Sequence, residues 1–459
     1  MTRRSVEGRG LARAAGVGLA GLVLASSLSA CSGIRTPSFF GLNKGGKTKE
    51  HAAVGQRIPV LGAADSIEVS PSLKGVDFSV PPPQAQADWQ LPGGNPEQAV
   101  ENMAAGEHFR VAWRRRIGMG TSRRGHITGA PVVIDHRIFT LDGEGGVSCL
   151  DADTGREIWR DQFAPRRGQD REAFGGGLAI ANGLLYVSSG YRFIAAVDIA
   201  KGDVKWRIET AAPIHGAPTV VDGRLYVSDV DDQFFALDAA TGKSLWEFQA
   251  LEEPARMLEA SSPAVSDGVV LAPFASGEVV ALSGVNGTQI WEDELSLTNR
   301  NNALSEIRDI AGRPIIYRGD VIAGSHAGVV AAIDLHTGQR RWSDPITTIT
   351  SPWPAGDVVY VTDISGRVIC IARDSGQVYW IRDMNKGVKK KQRAVYSGPV
   401  LASGRLIVVN DKGLAIALNP KTGATTTKLN LGSPAFLNPI GVNGTLYVLT
   451  MGGELVAIR

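Results

Sequence analysis

Cysteine is scarce in this sequence: three occur among 459 residues and no two are adjacent, so it offers neither a disulfide framework nor a vicinal redox pair. The seven histidines are scattered, and neither His326 nor His336 belongs to a set with metal-ligand spacing. No GxSxG nucleophile elbow and no phosphate-binding loop occurs. An excess of one charge is missing too. With 48 Lys and Arg against 46 Asp and Glu the net charge is +2, which gives no whole-molecule electrostatic case for nucleic acid. No long heptad pattern argues for a helical bundle, and the apolar stretch Ala14 to Ala25 is too short for a spanning helix. Glycine is what abounds: 55 residues, set among Val, Leu, Ile and Ala, suit many short strands joined by tight turns. The chain reads as all-β.

The amino terminus reads as an export signal. Arg3, Arg4, Arg9 and Arg13 form a basic flank, the apolar core follows, and "LSAC" ends at Cys31. "RRSVEG" lacks the apolar residues a twin-arginine signal places next, so the pair is an ordinary flank. The "LSAC" segment resembles a bacterial lipobox, which implies that residues 1–30 are removed and that Cys31 carries the lipid. By resemblance to the lipoproteins of Gram-negative bacteria, Ser32 in place of Asp points to the outer membrane. Residues 31–107, rich in Gly, Pro and charge, read as a lipidated tether, with room for a short helix over Pro96 to Ala105. Residues 108–459 are expected to form the folded domain.

That domain is built on a repeat. "FFALDAATGKSLWEF", Phe234 to Phe248, reads as strand, tight turn, strand, and it returns around Gly155, Gly202, Gly242, Gly287, Gly338, Gly376 and Gly423. The gaps of 47, 40, 45, 51, 38 and 47 residues suit four-stranded propeller blades. Four residues after each Gly stands Trp159, Trp206, Trp246, Trp291, Trp342 or Trp380, with Thr427 the exception. Four before it stands Asp151, Asp198, Asp238, Ser283, Asp334, Ala372 or Asn419, mostly side chains that hydrogen-bond the backbone of a turn. Six before it the residue is always small, and Cys149 and Cys370 fill that column in place of Ala. They are therefore core thiols, too far apart to bond.

Upstream of each hairpin lies another, as in "APTVVDGRLYVSD" and "LNPIGVNGTLYVL". Eight closing segments end near Leu150, Val197, Leu237, Leu282, Ile333, Ile371, Leu418 and Ile458, but the last has no Trp strand after it. The missing partner is "HFRVAWRRRI", with Trp113 46 residues before Trp159. The expectation is one eight-bladed β-propeller of four-stranded antiparallel blades, its ring closed by an N-terminal strand, with seven blades the alternative. Strand parity puts the Asp and Thr-Gly turns on one face and the long interblade links on the other, where recognition is expected. One link is basic through Lys386, Lys389, Lys390, Lys391 and Arg393. The acidic run Asp229, Asp231 and Asp232 lacks the downstream residues of a calcium loop and reads as a solvated connection.

Repeats such as "ALDAATGKSLW" resemble those of the quinoprotein dehydrogenases and their relatives, and with a lipobox, a tether and a compact ring the chain resembles the BamB family of outer-membrane assembly lipoproteins. That resemblance implies a non-enzymatic scaffold without a cofactor or metal, lipid-anchored at the periplasmic face of the outer membrane. It would bind the POTRA domains of the insertase BamA, other subunits of the assembly complex and unfolded outer-membrane proteins. The family's contact with BamA uses two neighbouring links, which implies Arg256, Met257 and Leu258 before "SSPAV" and Arg308 and Asp309 before "GRPII"; Ala311 stands where the family often has a second acid. The competing reading is a periplasmic dehydrogenase dependent on pyrroloquinoline quinone. A polysaccharide-binding propeller would need exposed face aromatics, for which Trp353 and Tyr396 are too few.

Overall fold

Residues 67–459, apart from 124, 164–173, 251–260, 297–309 and 311, are described by a computed structural model. Where the sequence alternates and turns, strands form, and they pair into eight four-stranded antiparallel sheets arranged as a propeller. Blade 1 comprises Val132–Ile134, Arg137–Leu141, Gly146–Asp151 and Glu157–Gln162. Blades 2 to 7 repeat this plan, their inner strands being Gly176–Ala181, Thr219–Val221, Ala264–Ser266, Ile315–Tyr317, Trp353–Ala355 and Tyr396–Ala402. Blade 8 joins Ile440–Val442, Thr445–Leu449 and Glu454–Ile458 to Val111–Arg116 from the other end of the folded chain. Val111 pairs with Ile458 and Arg116 with Glu454, so the ring closes as the sequence implies.

Hydrogen bonds fix the two faces. The first and third turns of a blade touch: Ala152 N–H donates to His136 O (2.8 Å), Ala239 to Gly223 (2.9 Å) and Leu335 to Gly319 (3.0 Å). On the opposite face each second turn holds the root of the outgoing link, as where Thr210 donates to Arg192 O (2.9 Å), Leu295 to Gly277 O (2.9 Å) and Leu431 to Gly413 O (2.7 Å).

The repeated columns explain one another. Register places the small residue opposite the Trp of the next strand in every blade but the seventh, where Ala417 faces Thr427: Ala236 faces Trp246, Cys149 faces Trp159, Cys370 faces Trp380, and Ala457 faces Trp113 across the closing seam. The indole then reaches the following blade. Trp246 lies on the backbone of Gly287, whose φ is +74° and where a β-carbon would sit 2.5 Å from indole Cε3, so only glycine fits. The same indole donates its N–H to Gly284 O (3.2 Å), Trp206 donates to Ala239 O (3.0 Å), and Trp380 to Pro420 O (3.1 Å). Thr427 breaks the Trp column for a physical reason. Blade 8 has no Thr-Gly turn, because its last two strands come from distant parts of the chain, so there is nothing for an indole on blade 7 to cover. Trp113 does find its glycine, lying against Gly155 of blade 1.

Both thiols are buried and unpaired in separate blades. Burial pushes Cys149 up to about 12 and Cys370 well above the ordinary thiol value, so neither is nucleophilic at neutral pH. Asp238 behaves as a turn residue: its carboxylate accepts from Thr241 N (2.8 Å) and Oγ1 (2.6 Å), which holds it below the usual carboxylate range.

The segment read as tether differs from that reading once it is described. From Trp89 to Gly106 it forms a strap bonded to every blade. Trp89 N–H donates to Val133 O (2.8 Å), and Gln90 O accepts from Ile180 (2.8 Å). Gln98 Nε2 donates to Thr219 Oγ1 (3.2 Å). Pro96 O accepts from Val265 (2.8 Å) and Glu97 O from Ile316 (2.9 Å). Glu101 O accepts the indole N–H of Trp353 (2.8 Å), Met103 N–H donates to Leu401 O (3.1 Å), and Gly106 N–H to Gly444 O (3.2 Å). Those partners lie on blades 1 to 8 in turn. No helix forms over Pro96 to Ala105, because carbonyls that a helix would use internally are spent on inner strands. Trp89 and Met103 are fully buried beneath it.

Candidate interaction face and central chamber

The links and second turns build one face. Residues 251–260 join blade 3 to blade 4, and residues 297–309 join blade 4 to blade 5, so the two segments containing Arg256, Met257, Leu258, Arg308 and Asp309 flank the same blade. Those five residues, like Cys31, lie outside the described residues. Their roots are described and are joined: Ser261 Oγ donates to Gly312 O (3.2 Å). Leu295 O accepts from the Ser325 hydroxyl, Ile310 N–H donates to Phe274 O (3.4 Å), and Arg313 N–H to Ser351 Oγ (2.9 Å). The described ends of the two links thus share a buried base.

The basic link of blades 6 and 7 is described throughout. Asn385 is buried and clamps its ends, donating to Ser365 O (2.9 Å) and Ala394 O (2.9 Å) while accepting from Ala394 N (3.0 Å). Lys386, Lys389, Lys390, Lys391 and Arg393 are all exposed on it. The acidic run is not solvated as expected. Asp229 and Asp232 are buried, and Asp229 caps the second turn of blade 3 by accepting from Asp231 N (2.9 Å) and Gln233 N (3.0 Å). Burial nonetheless raises its carboxyl to about 6. Trp353 and Tyr396 are buried too, Trp353 under the strap, so neither presents a ring to solvent.

On the axis of this face opens a chamber of about 890 Å³. The links and inner-strand entries of the blades line it, and Pro92 of the strap contributes to its wall. A column just before the inner-strand proline supplies Ala130, Ala217, Ser262, Arg313, Ser351 and Asn438. Five of these are small or neutral and one is an arginine. Burial lowers Arg313 to about 10, which leaves it charged at neutral pH. Among the described lining residues none is Asp, Glu or Cys, so the donor set does not fit a quinone held over a cation by carboxylates and a cysteine pair. Sequence reasoning missed both the strap and Arg313. The strap has no repeat to find it by, but Arg313 was legible as the single long charged side chain in an otherwise small column.

A profile of the family described as "Outer membrane protein assembly factor BamB" matches residues 143–382. The outer membrane protein assembly factor BamB of Salmonella typhimurium is 26% identical over 333 residues, covering 72% of this chain and 83% of that protein. Among solved structures, BamB from Moraxella catarrhalis superposes with a TM-score of 0.66 at 18% identity, covering 76% of this chain and 99% of that one. A europium-containing methanol dehydrogenase reaches 0.63 at 16% identity, covering 79% and 89%. At these identities the structural likenesses establish a shared fold, which an assembly factor and a dehydrogenase have in common.

Proposed function

The chain belongs to the family of the outer membrane protein assembly factor BamB, and from that premise we propose that it is a non-enzymatic scaffold assisting the folding and insertion of outer-membrane proteins. The signal of residues 1–30 directs export, the lipid on Cys31 anchors the chain in the outer membrane, and the propeller hangs at its periplasmic face. The links 251–260 and 297–309 dock on the POTRA domains of BamA, with Arg256, Met257 and Leu258 supplying a small apolar anchor beside charge and Arg308 and Asp309 a polar rim. Incoming unfolded outer-membrane proteins and the other assembly subunits then meet on the insertase rather than in a catalytic pocket.

The observation that carries this reading is the common root of the two links, held by Ser261 and Gly312 on one face of the ring. The donor set of the chamber supports the absence of quinone chemistry. Affinity capture from detergent-solubilised envelope tests it: BamA co-purifies with the unaltered chain, and Arg308→Glu with Asp309→Lys weakens the capture. Undiminished capture after both links are replaced by Gly-Ser linkers rejects the proposed surface.

A further inference from the structure

The chamber holds one group that the scaffold role does not use. Arg313 enters from the base of the 4–5 link with its Nε buried and without a hydrogen-bond partner. No ion pair is made by its guanidinium among the described residues, while its backbone N–H is fixed on Ser351. The side chain keeps part of its surface although it lies deep in the ring, as a group facing an internal cavity does. Its described neighbours in the column are small, which leaves room for a ligand in front of it. A buried cation with an unmet donor is costly, and proteins keep such groups where an anion meets them.

We propose that the chamber is a binding site for an organic monocarboxylate with an apolar body. One guanidinium matches one carboxylate in charge and in its paired N–H geometry, whereas a phosphate dianion would bring surplus charge to a site where Arg313 is the one Lys or Arg among the described lining residues. The rest of the wall suits a carbon skeleton: Phe174, Ile349, Phe436 and Leu437 line it beside the hydroxyls of Ser262 and Thr350. The strap spans the inner strands on the turn face, so the ligand enters from the link face, beside the proposed docking loops. The carboxylate has two natural sources, a free small acid or the carboxyl end of a polypeptide.

Calorimetric titration of the full chain in lipid discs, with empty discs as blank, tests the site. The probes are 3-phenylpropanoate and its neutral isostere 3-phenylpropanamide. The acid is expected to bind saturably and about tenfold or more tighter than the amide, as a charge-assisted pair predicts. Arg313→Met abolishes that difference and Arg313→Lys keeps part of it. Acid and amide binding alike, or no saturable binding of the acid at millimolar concentration, overturns the proposal, and this comparison stands on the unaltered protein even if a variant fails to fold. N-acetyl-Ala-Ala-Leu with a free carboxyl end, against its amide, identifies the source: tighter binding than the small acid assigns a chain end, weaker binding a free metabolite. Pyrroloquinoline quinone, with its several carboxylates, binding more tightly than either monocarboxylate overturns the one-carboxylate assignment.

Discussion

The hydroxyl of Ser261 donates to the carbonyl of Gly312 across 3.2 Å, tying the end of the blade 3–4 link to the end of the blade 4–5 link. Two loops that are 51 residues apart at these roots therefore share one foundation. Ser261→Ala removes a single neutral hydrogen bond, about 1 kcal/mol. The expected outcome is a severalfold loss of affinity for BamA in calorimetric titration with a thermal midpoint close to the parent's. A loss confined to the melting curve would separate the root from recognition.

The interblade indoles differ in one testable respect. Trp246 donates its N–H to Gly284, whereas the N–H of Trp113, at the seam, is buried with no partner. Trp246→Phe should therefore cost about 1 kcal/mol more than Trp113→Phe in denaturant unfolding, because only the former deletes a hydrogen bond. Trp→Ala at either site costs about 3–5 kcal/mol through lost packing.

Gly287→Ala is expected to destabilise the ring more than an ordinary surface substitution, by about 1–3 kcal/mol, since it adds a β-carbon at positive φ against the Trp246 indole. Pairing it with Trp246→Ala in a double-mutant cycle should recover much of that loss, because the clash disappears with the ring.

Cys149 and Cys370 should resist a maleimide in the folded protein at pH 8 and react at once in denaturant, as buried thiols with raised pKa values do. Replacing either by Ala is expected to cost no more than about 1.5 kcal/mol, because Ala already fills that column in the other six blades, at Ala196, Ala236, Ala281, Ala332, Ala417 and Ala457. Cys149→Leu should be far more damaging, since the larger side chain meets Trp159 across the strand pair.

Asp344 supplies a pH signature. Its carboxyl ends the outer strand of blade 5, one oxygen buried without a partner, and burial raises it to about 6. A folded value above the unfolded one favours the protonated form, so its contribution to stability is full below pH 4 and is lost as pH rises through about 6. Asp344→Asn should raise the thermal midpoint at pH 7.5 and leave it nearly unchanged near pH 4. Asp229 titrates in the same window, so part of the parent's pH dependence persists in the variant.

Most of the ring was legible because it repeats. Seven copies of one turn let each column be read against the others, and columns of Gly, Trp and small residues are the direct imprint of one contact made blade after blade. The strap occurs once, so it has no column. Its Pro and Gly residues look like those of a linker, and the signal of its burial, Trp89 and Met103 among polar neighbours, is too sparse to weigh alone. The acidic run misled for a related reason: charge in a turn reads as solvated, but Asp229 spends its carboxylate on backbone N–H groups inside the fold. Arg313 was visible as an outlier in sequence, yet only the chamber gives the outlier a meaning.

The strap and the seam together decide when this protein becomes complete during its biogenesis. Val111–Arg116 is made early, yet its pairing partner Glu454–Ile458 emerges hundreds of residues later, and the strap that precedes Val111 has sites on all eight blades. Such contacts, separated by hundreds of residues, form slowly and only after most of the chain is present. A copy truncated before Glu454 leaves an unpaired edge on blade 8 and a strap without its full set of anchors, so it carries the mark of its own incompleteness to whatever protease patrols the compartment.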